Sequence, residues 1–125
     1  MPSSHTFAKR VFLWAGIYGI VVLLPQYFME GQINRDFPPP ITHPEHFYGF
    51  VGVALAWQFV FLTIARDPVR YRPLMLVAIL EKVSFGFAAV VLFALGRISL
   101  FVLAPALVDL ALATAFAAAY RSTST

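Results

Sequence analysis

Among the polar residues within the long apolar stretches of this 125-residue sequence, five could have a chemical role at one level: Tyr18, Gln58, Glu81, Lys82 and Asp109. With a helix rise of about 1.5 Å per residue, counted from the Lys- and Arg-flanked ends of the stretches, they lie about 10–16 Å deep in a membrane. Ionisable groups are costly and rare at that depth, and they mark functional sites by default. The sequence therefore predicts one polar layer to which four helices contribute.

Lys82 and Asp109 are the predicted ion pair of this layer. The stretches that carry them are joined by a turn of only three residues, Gly96 to Ile98, and a Lys stem can bridge several ångströms. Small residues lie near both side chains and allow close helix approach: Ala78, Gly86, Ala106 and Ala113. Glu81 lies about 100° from Lys82 around the helix, so Gln58 or the arginines at the membrane surface are its expected partners.

The polar layer has three interpretations. It can fix helix register as structural glue, it can form a buried ligand or substrate site, or it can belong to a proton or ion path. Four short helices leave little room for a path within one protomer, although an oligomer interface could provide one.

Two further clusters lie outside the apolar stretches. His43, Glu45 and His46 suggest a metal or acid-base role, but their spacing also fits a helix start with Thr42 as N-cap and Glu45 closing a capping box. We therefore expect capping and no bound metal. A second cluster, Arg66, Arg70 and Arg72, is explained by membrane topology and could also contact anionic lipid headgroups.

Composition defines the elements that carry these residues. Hydrophobic residues make up 60% of the chain and charged residues 12%, which excludes a soluble globule. Four stretches, residues 11–29, 47–65, 74–95 and 99–120, have the length of a membrane-spanning helix. They predict a single integral membrane domain over residues 1–125, with an uncleaved first span because no small-residue cleavage site follows it.

Charge and cysteine content exclude other classes. The net charge is +3, but eight of the nine Lys and Arg flank the apolar stretches rather than forming a patch, so no nucleic-acid partner is expected. The absence of Cys excludes disulfides and thiolate metal sites, and no cofactor is predicted.

The distribution of Lys and Arg predicts the topology. Lys9, Arg10, Arg121 and the three arginines of the 66–72 loop lie on one side, against Arg35 and Arg97 on the other. Both termini are therefore expected in the cytoplasm. The short connections predict an all-α, antiparallel up-down bundle in which consecutive helices are neighbours, and Pro25 predicts a kink at the outer end of the first span. Residues 30–46 are expected to form a Pro-rich external loop.

These features resemble small bacterial four-helix membrane proteins of the DoxX-like group and, more distantly, the sterol-isomerase and sigma-2-receptor proteins. The shared features are four spans, cytoplasmic termini, a Pro-rich outer segment before the second span, here Pro38 to Tyr48, and acidic residues within helices, here Glu81 and Asp109. The resemblance implies the architecture and a bacterial inner-membrane location. It implies no catalytic residue, because Gln58 stands where a carboxylate would be expected.

Three functions follow from these residues. The first is a non-enzymatic protein that binds a hydrophobic small molecule or lipid at the polar layer. The second is a membrane enzyme, an isomerase or an oxidoreductase-associated protein, with Glu81 and Asp109 as acid-base groups and Lys82 stabilising charge. The third is an auxiliary subunit of a homo-oligomer or larger membrane complex. A cavity that reaches the polar layer would favour the first two over the third.

Overall fold

The computed structural model describes residues 5–124, which contain five α-helices and no β-strand. The helices are α1 (Thr6–Leu23), α2 (Glu30–Asp36), α3 (Pro44–Arg66), α4 (Arg72–Ala94) and α5 (Leu100–Ser122). Within this part of the chain, α1 with the turn that follows it, α3, α4 and α5 are each long and apolar enough to cross a membrane. The protein is thus all-helical with four candidate spans, as the sequence predicts.

The segment after α1 differs from the predicted loop. At Pro25 the α-helix gives way to a 3-10 helix, Leu24–Phe28, because proline cannot donate the next helical hydrogen bond. Residues 30–46 are not entirely loop, since α2 occupies Glu30–Asp36. The Tyr48 hydroxyl of α3 donates to Glu30 Oε1 at 3.0 Å and so ties α2 to α3. Within the segment, the Ile41 N–H donates to Asn34 Oδ1 at 2.7 Å.

The helices pack as two close pairs. Helix α1 packs along α3 and helix α4 packs along α5, while α1 also contacts α5. Glycines allow the close approach: a Cβ at Gly16 would lie 2.9 Å from the backbone oxygen of Gln58, and a Cβ at Gly86 would lie 2.6 Å from Leu110. A left-handed Gly96, with φ of 72°, forms the turn between α4 and α5.

Helices α3 and α4 contact each other only slightly, although a short loop connects them. The expectation that every pair of consecutive helices packs as neighbours is therefore only partly met. Large side chains line both sides of this junction, including Phe50 and Trp57 on α3 and Leu80 and Phe85 on α4. A gap therefore separates the two helix pairs at this junction.

The apolar core lies in the half of the bundle that contains the beginning of α1 and the end of α5. There Phe12 stacks on Phe116 with ring centroids 4.2 Å apart, and Phe61 packs edge-on against Phe116 at 5.0 Å. Buried residues from all four long helices join this cluster. In the other half, a smaller buried cluster comes from α4 and α5 alone, with Ala89, Leu103 and Ala106. The packing therefore leaves space beyond the aromatic core.

Arg72 fastens the beginning of α4 to the end of α5. Its Nε donates to the Tyr120 backbone oxygen at 3.0 Å and to Thr123 Oγ1 at 3.2 Å. Its guanidinium also lies 3.6 Å from the centre of the Tyr120 ring, a cation–π distance. A cation at the C-terminal end of a helix is further favoured by the helix dipole.

We expect Arg72→Met to lower the stability of the protein in detergent by about 1–3 kcal/mol, because both hydrogen bonds and the cation–π contact are lost. The loss is measured as a lower midpoint of thermal unfolding, with the folded protein quantified by size-exclusion chromatography after each heating step. Arg70→Met is the matched control, since Arg70 is exposed and its only aromatic contact within the described residues is a longer one, 5.5 Å from the centre of the Tyr71 ring. We expect it to cost about 1 kcal/mol or less. Equal midpoints for the two variants would show that the Arg72 contacts add nothing to stability.

Candidate functional site

The predicted pair of Lys82 and Asp109 is present in the structure. Lys82 Nζ donates to Asp109 Oδ1 at 3.1 Å, and the Lys82 side chain is almost completely buried, with 4% of the residue exposed. The ammonium also lies 5.2 Å from the centre of the Phe61 ring, on the edge of the aromatic core. The pair therefore bridges α4 and α5 next to the aromatic core.

Glu81 has a different neighbour from the one expected. Neither Gln58 nor a surface arginine pairs with it, and its Oε1 lies 4.0 Å from Lys82 Nζ. The 100° separation on the helix does not keep the two apart, because the long Lys82 stem brings its ammonium between the two carboxylates. At 4.0 Å this is an ion pair without a hydrogen bond, and Glu81 Oε1 is buried with no hydrogen-bond donor in the described part of the chain.

Gln58 is the most buried polar residue of the layer, with 1% of its surface exposed. Its Nε2 donates to the Ala54 backbone oxygen at 2.8 Å, one turn earlier on α3. Its Oε1 is buried and accepts no hydrogen bond from residues 5–124. The amide fits only because residue 19 on α1 is glycine, since a Cβ there would overlap the Gln58 amide. A buried acceptor without a donor is uncommon and calls for an explanation.

Tyr18 lies at the edge of the layer, with 39% of its surface exposed. It lines both the central space between the helices and a second groove between α1 and α5. All five residues predicted from the sequence are therefore brought to one region of the molecule. Lys82 and Asp109 bond directly, whereas Tyr18, Gln58 and Glu81 face the same space.

A cavity of about 300 Å³ occupies the centre of this region. All four long helices line it, and its polar members are the five residues of the layer together with Gln26. Apolar side chains form the remainder of the wall: Val22, Leu23, Phe50, Ala54, Phe85, Val102 and Pro105, with Gly19. A mostly apolar wall with a few convergent polar groups is typical of small-molecule sites.

An open groove of about 640 Å³ runs along the gap between α3 and α4 on the outside of the bundle. The groove and the cavity share four lining residues, namely Phe50, Ala54, Glu81 and Phe85. The Phe50 and Phe85 rings lie 5.7 Å apart across the gap. Glu81, Ala54 and the two rings thus form the boundary between the cavity and the groove.

The histidine cluster is placed differently from the sequence prediction. Helix α3 begins at Pro44 with His43, not Thr42, as the N-cap, and no side chain caps it. The capping box of Thr42 and Glu45 is therefore wrong, since proline at the first helical position makes a side-chain acceptor there less necessary. His43 stacks on His46 with centroids 5.1 Å apart, and His43 Nδ1 lies 4.0 Å from Glu45 Oε2. Over the described residues, no group of three potential ligands could hold a metal ion.

The three arginines predicted to contact lipid headgroups have separate environments. Arg72 is used in the contact with the end of α5, whereas Arg66 and Arg70 are exposed at the surface. Lipid headgroup binding stays a prediction for all three arginines.

Several cavity residues were not identified from the sequence, and one of them carries a usable signal. Ala54 lies one turn from Gln58, in the same relation as the small residues that flank Lys82 and Asp109. Applying that rule to Gln58 would have indicated Ala54. Phe50 and Phe85 give no such signal, because a phenylalanine in an apolar span is ordinarily a lipid-facing or packing residue.

The chain matches no protein-family model, no curated protein and no solved structure.

Proposed function

We propose that this protein is a non-enzymatic integral membrane protein that binds a hydrophobic small molecule or lipid in the cavity at its polar layer. The observation that carries the proposal is that two residues of the cavity wall, Gln58 and Glu81, each hold a buried side-chain oxygen, Oε1, that has no hydrogen-bond donor among residues 5–124. Leaving such groups unpaired costs about 1–3 kcal/mol each, and a bound molecule with a donor would offset that cost.

The cavity also separates this proposal from its alternatives. Polar side chains that only hold the helices in register would be expected to form hydrogen bonds with one another, as Lys82 and Asp109 do. A purely structural subunit likewise has no need for a 300 Å³ cavity at the level of its buried polar groups. Membrane lipids are the expected surroundings, and a homo-oligomer or a larger membrane complex is compatible with this function.

A membrane enzyme is the second candidate, because Glu81 combines a free carboxylate oxygen with a position on the cavity wall. An acid-base residue must reach its substrate, and Glu81 meets this requirement better than Asp109, which is held by Lys82. Under this alternative the bound molecule would be a lipid-soluble substrate and Glu81 would transfer the proton.

The proposed setting is an up-down bundle in a bacterial inner membrane, with both termini in the cytoplasm. The Lys and Arg distribution supports this orientation. Because the chain has no cysteine, Gln32→Cys in α2 and Val69→Cys in the α3–α4 loop provide single reporters. We expect an impermeant maleimide added outside cells to label Gln32→Cys only. Labelling of Val69→Cys instead would reverse the topology.

Binding is tested by extracting the purified protein with solvent and identifying the released molecules by mass spectrometry. We expect the wild-type extract to contain a hydrophobic compound in stoichiometric amount, at several times its level in Ala54→Leu, whose larger side chain enters the cavity. Ala56→Leu is the matched control, since Ala56 lies on the same helix but is exposed and not part of the cavity wall. Identical extracts from all three folded proteins would contradict the proposal.

A further inference from the structure

Resting on the proposed function, we infer that the ligand is a single-chain amphiphile with an uncharged hydroxyl head, bound with the head in the cavity and the tail in the groove between α3 and α4. Hydrogen-bond chemistry selects the hydroxyl head, and the shape of the groove selects the single-chain tail.

The hydrogen-bond chemistry calls for a group that both donates and accepts. Gln58 Oε1 and Glu81 Oε1 are acceptors that receive no hydrogen bond from the described part of the chain. Lys82 carries three donor hydrogens, and Asp109 Oδ1 is the one hydrogen-bond acceptor that residues 5–124 give it. A hydroxyl group donates one hydrogen bond and accepts two, so a single hydroxyl can satisfy a free acceptor and a Lys82 hydrogen together.

Charged heads match the cavity less well. A carboxylate has only acceptors, and it would add a third negative group beside Glu81 and Asp109 while leaving the free acceptors unpaired. With two carboxylates beside one ammonium, such a further negative group is opposed strongly where water is excluded. An ammonium has only donors, so it could pair the free acceptors but could not accept a hydrogen bond from Lys82, which a hydroxyl does at the same time.

The position of the tail follows from the gap between the helix pairs. The cavity of about 300 Å³ is at the lower limit of small-molecule sites, whereas the adjoining groove offers about 640 Å³ of largely apolar space. The cavity adjoins the groove at Phe50, Ala54, Glu81 and Phe85. The Phe50 and Phe85 rings touch each other, with centroids 5.7 Å apart, so a flexible alkyl tail would leave the cavity beside them, at Ala54 and Glu81. The tail would keep its contact with the hydrocarbon phase while its head is desolvated in the cavity.

The two tryptophans make this arrangement measurable. Trp57 lines the α3–α4 groove, and Trp14 lines the groove between α1 and α5. A bromine on an alkyl tail quenches a neighbouring indole, so Trp14→Phe leaves a reporter for the proposed tail site and Trp57→Phe leaves one for the other groove. The probes are ω-bromoundecanol, ω-bromoundecanoic acid and ω-bromoundecylamine, which share a tail and differ only in the head.

In lipid nanodiscs we expect ω-bromoundecanol to quench Trp57 saturably, with unbrominated undecanol reversing the quenching. Trp14 should show only the linear quenching of probe dissolved in lipid. The acid and the amine should bind at least about tenfold more weakly than the alcohol, as expected when buried groups are left unpaired. Gln58→Met, measured in the Trp14→Phe background, should reduce the preference for alcohol over acid, while Ala56→Leu should leave it unchanged.

The outcomes separate this inference from the proposed function. Saturable quenching of Trp57 by the acid or the amine, equal to or tighter than that by the alcohol, would overturn the hydroxyl assignment while leaving a ligand site. Saturable quenching of Trp14 instead of Trp57 would overturn the tail position. The inference is also overturned if no probe quenches either residue saturably. A compound still recovered from the wild-type extract would then uphold the proposed function, and its absence would remove both.

Discussion

Replacing Lys82 by Met is expected to reduce the free energy of unfolding in detergent by about 3 kcal/mol, at the lower end of the range for breaking a buried ion pair. Two carboxylates, Glu81 and Asp109, then lose the ammonium that lies within 4.0 Å of both. Asp109→Leu should cost less, about 1–2 kcal/mol, because Glu81 is still available to Lys82.

The double variant Lys82→Met/Asp109→Leu should recover part of the Lys82→Met loss. It leaves a single carboxyl group, Glu81, which can bind a proton and become neutral. Chemical denaturation in a defined detergent gives the three free energies and the coupling between the two residues. Simple addition of the two single losses would show that the 3.1 Å contact contributes no coupling energy.

The second large effect is expected at the seam between α1 and α3. A Cβ at Gly16 would lie 2.7 Å from Leu62 Cδ2 and 2.9 Å from the Gln58 backbone oxygen. The Leu62 side chain can turn away, but the backbone oxygen moves only if the helices separate. Gly16→Ala should therefore cost about 1–3 kcal/mol of stability, the usual range for overpacking.

Gly49→Ala is the matched control for this substitution. Gly49 also lies within a long helix, but a Cβ there has no neighbour within 4 Å. The same change should be neutral or stabilise the helix by up to about 1 kcal/mol. Equal thermal unfolding midpoints for Gly16→Ala and Gly49→Ala would contradict the close seam between α1 and α3.

The sequence predicted the spans and the members of the polar layer because both depend on local rules. Apolar length identifies a span, and the helix rise converts position into depth. The Lys82–Asp109 pair followed from these rules together with the tight turn at Gly96. Helix α2 was missed because seven residues are too few to show a clear periodic pattern.

The cavity itself could not be predicted, because it depends on which helices pack closely. Loop length indicated α3 and α4 as neighbours, whereas the glycines at positions 16, 19 and 86 place the close contacts between α1 and α3 and between α4 and α5. The resulting gap brings Phe50 and Phe85 into the site from the lipid side. The distance between two helices depends on the sizes of side chains on both of them, and this dependence leaves no periodic pattern in a single sequence.

The most direct test of whether the polar layer is a binding site is native mass spectrometry of the protein released from nanodiscs, wild type beside Lys82→Met/Asp109→Leu. Both proteins should be folded, as judged by their helical circular dichroism. The wild-type protein is expected to carry one additional hydrophobic molecule per chain, and the double variant should have lost most of it, because the cavity no longer offers the Lys82 donors. A wild-type chain without a bound molecule, or a folded double variant that retains it fully, would contradict this account.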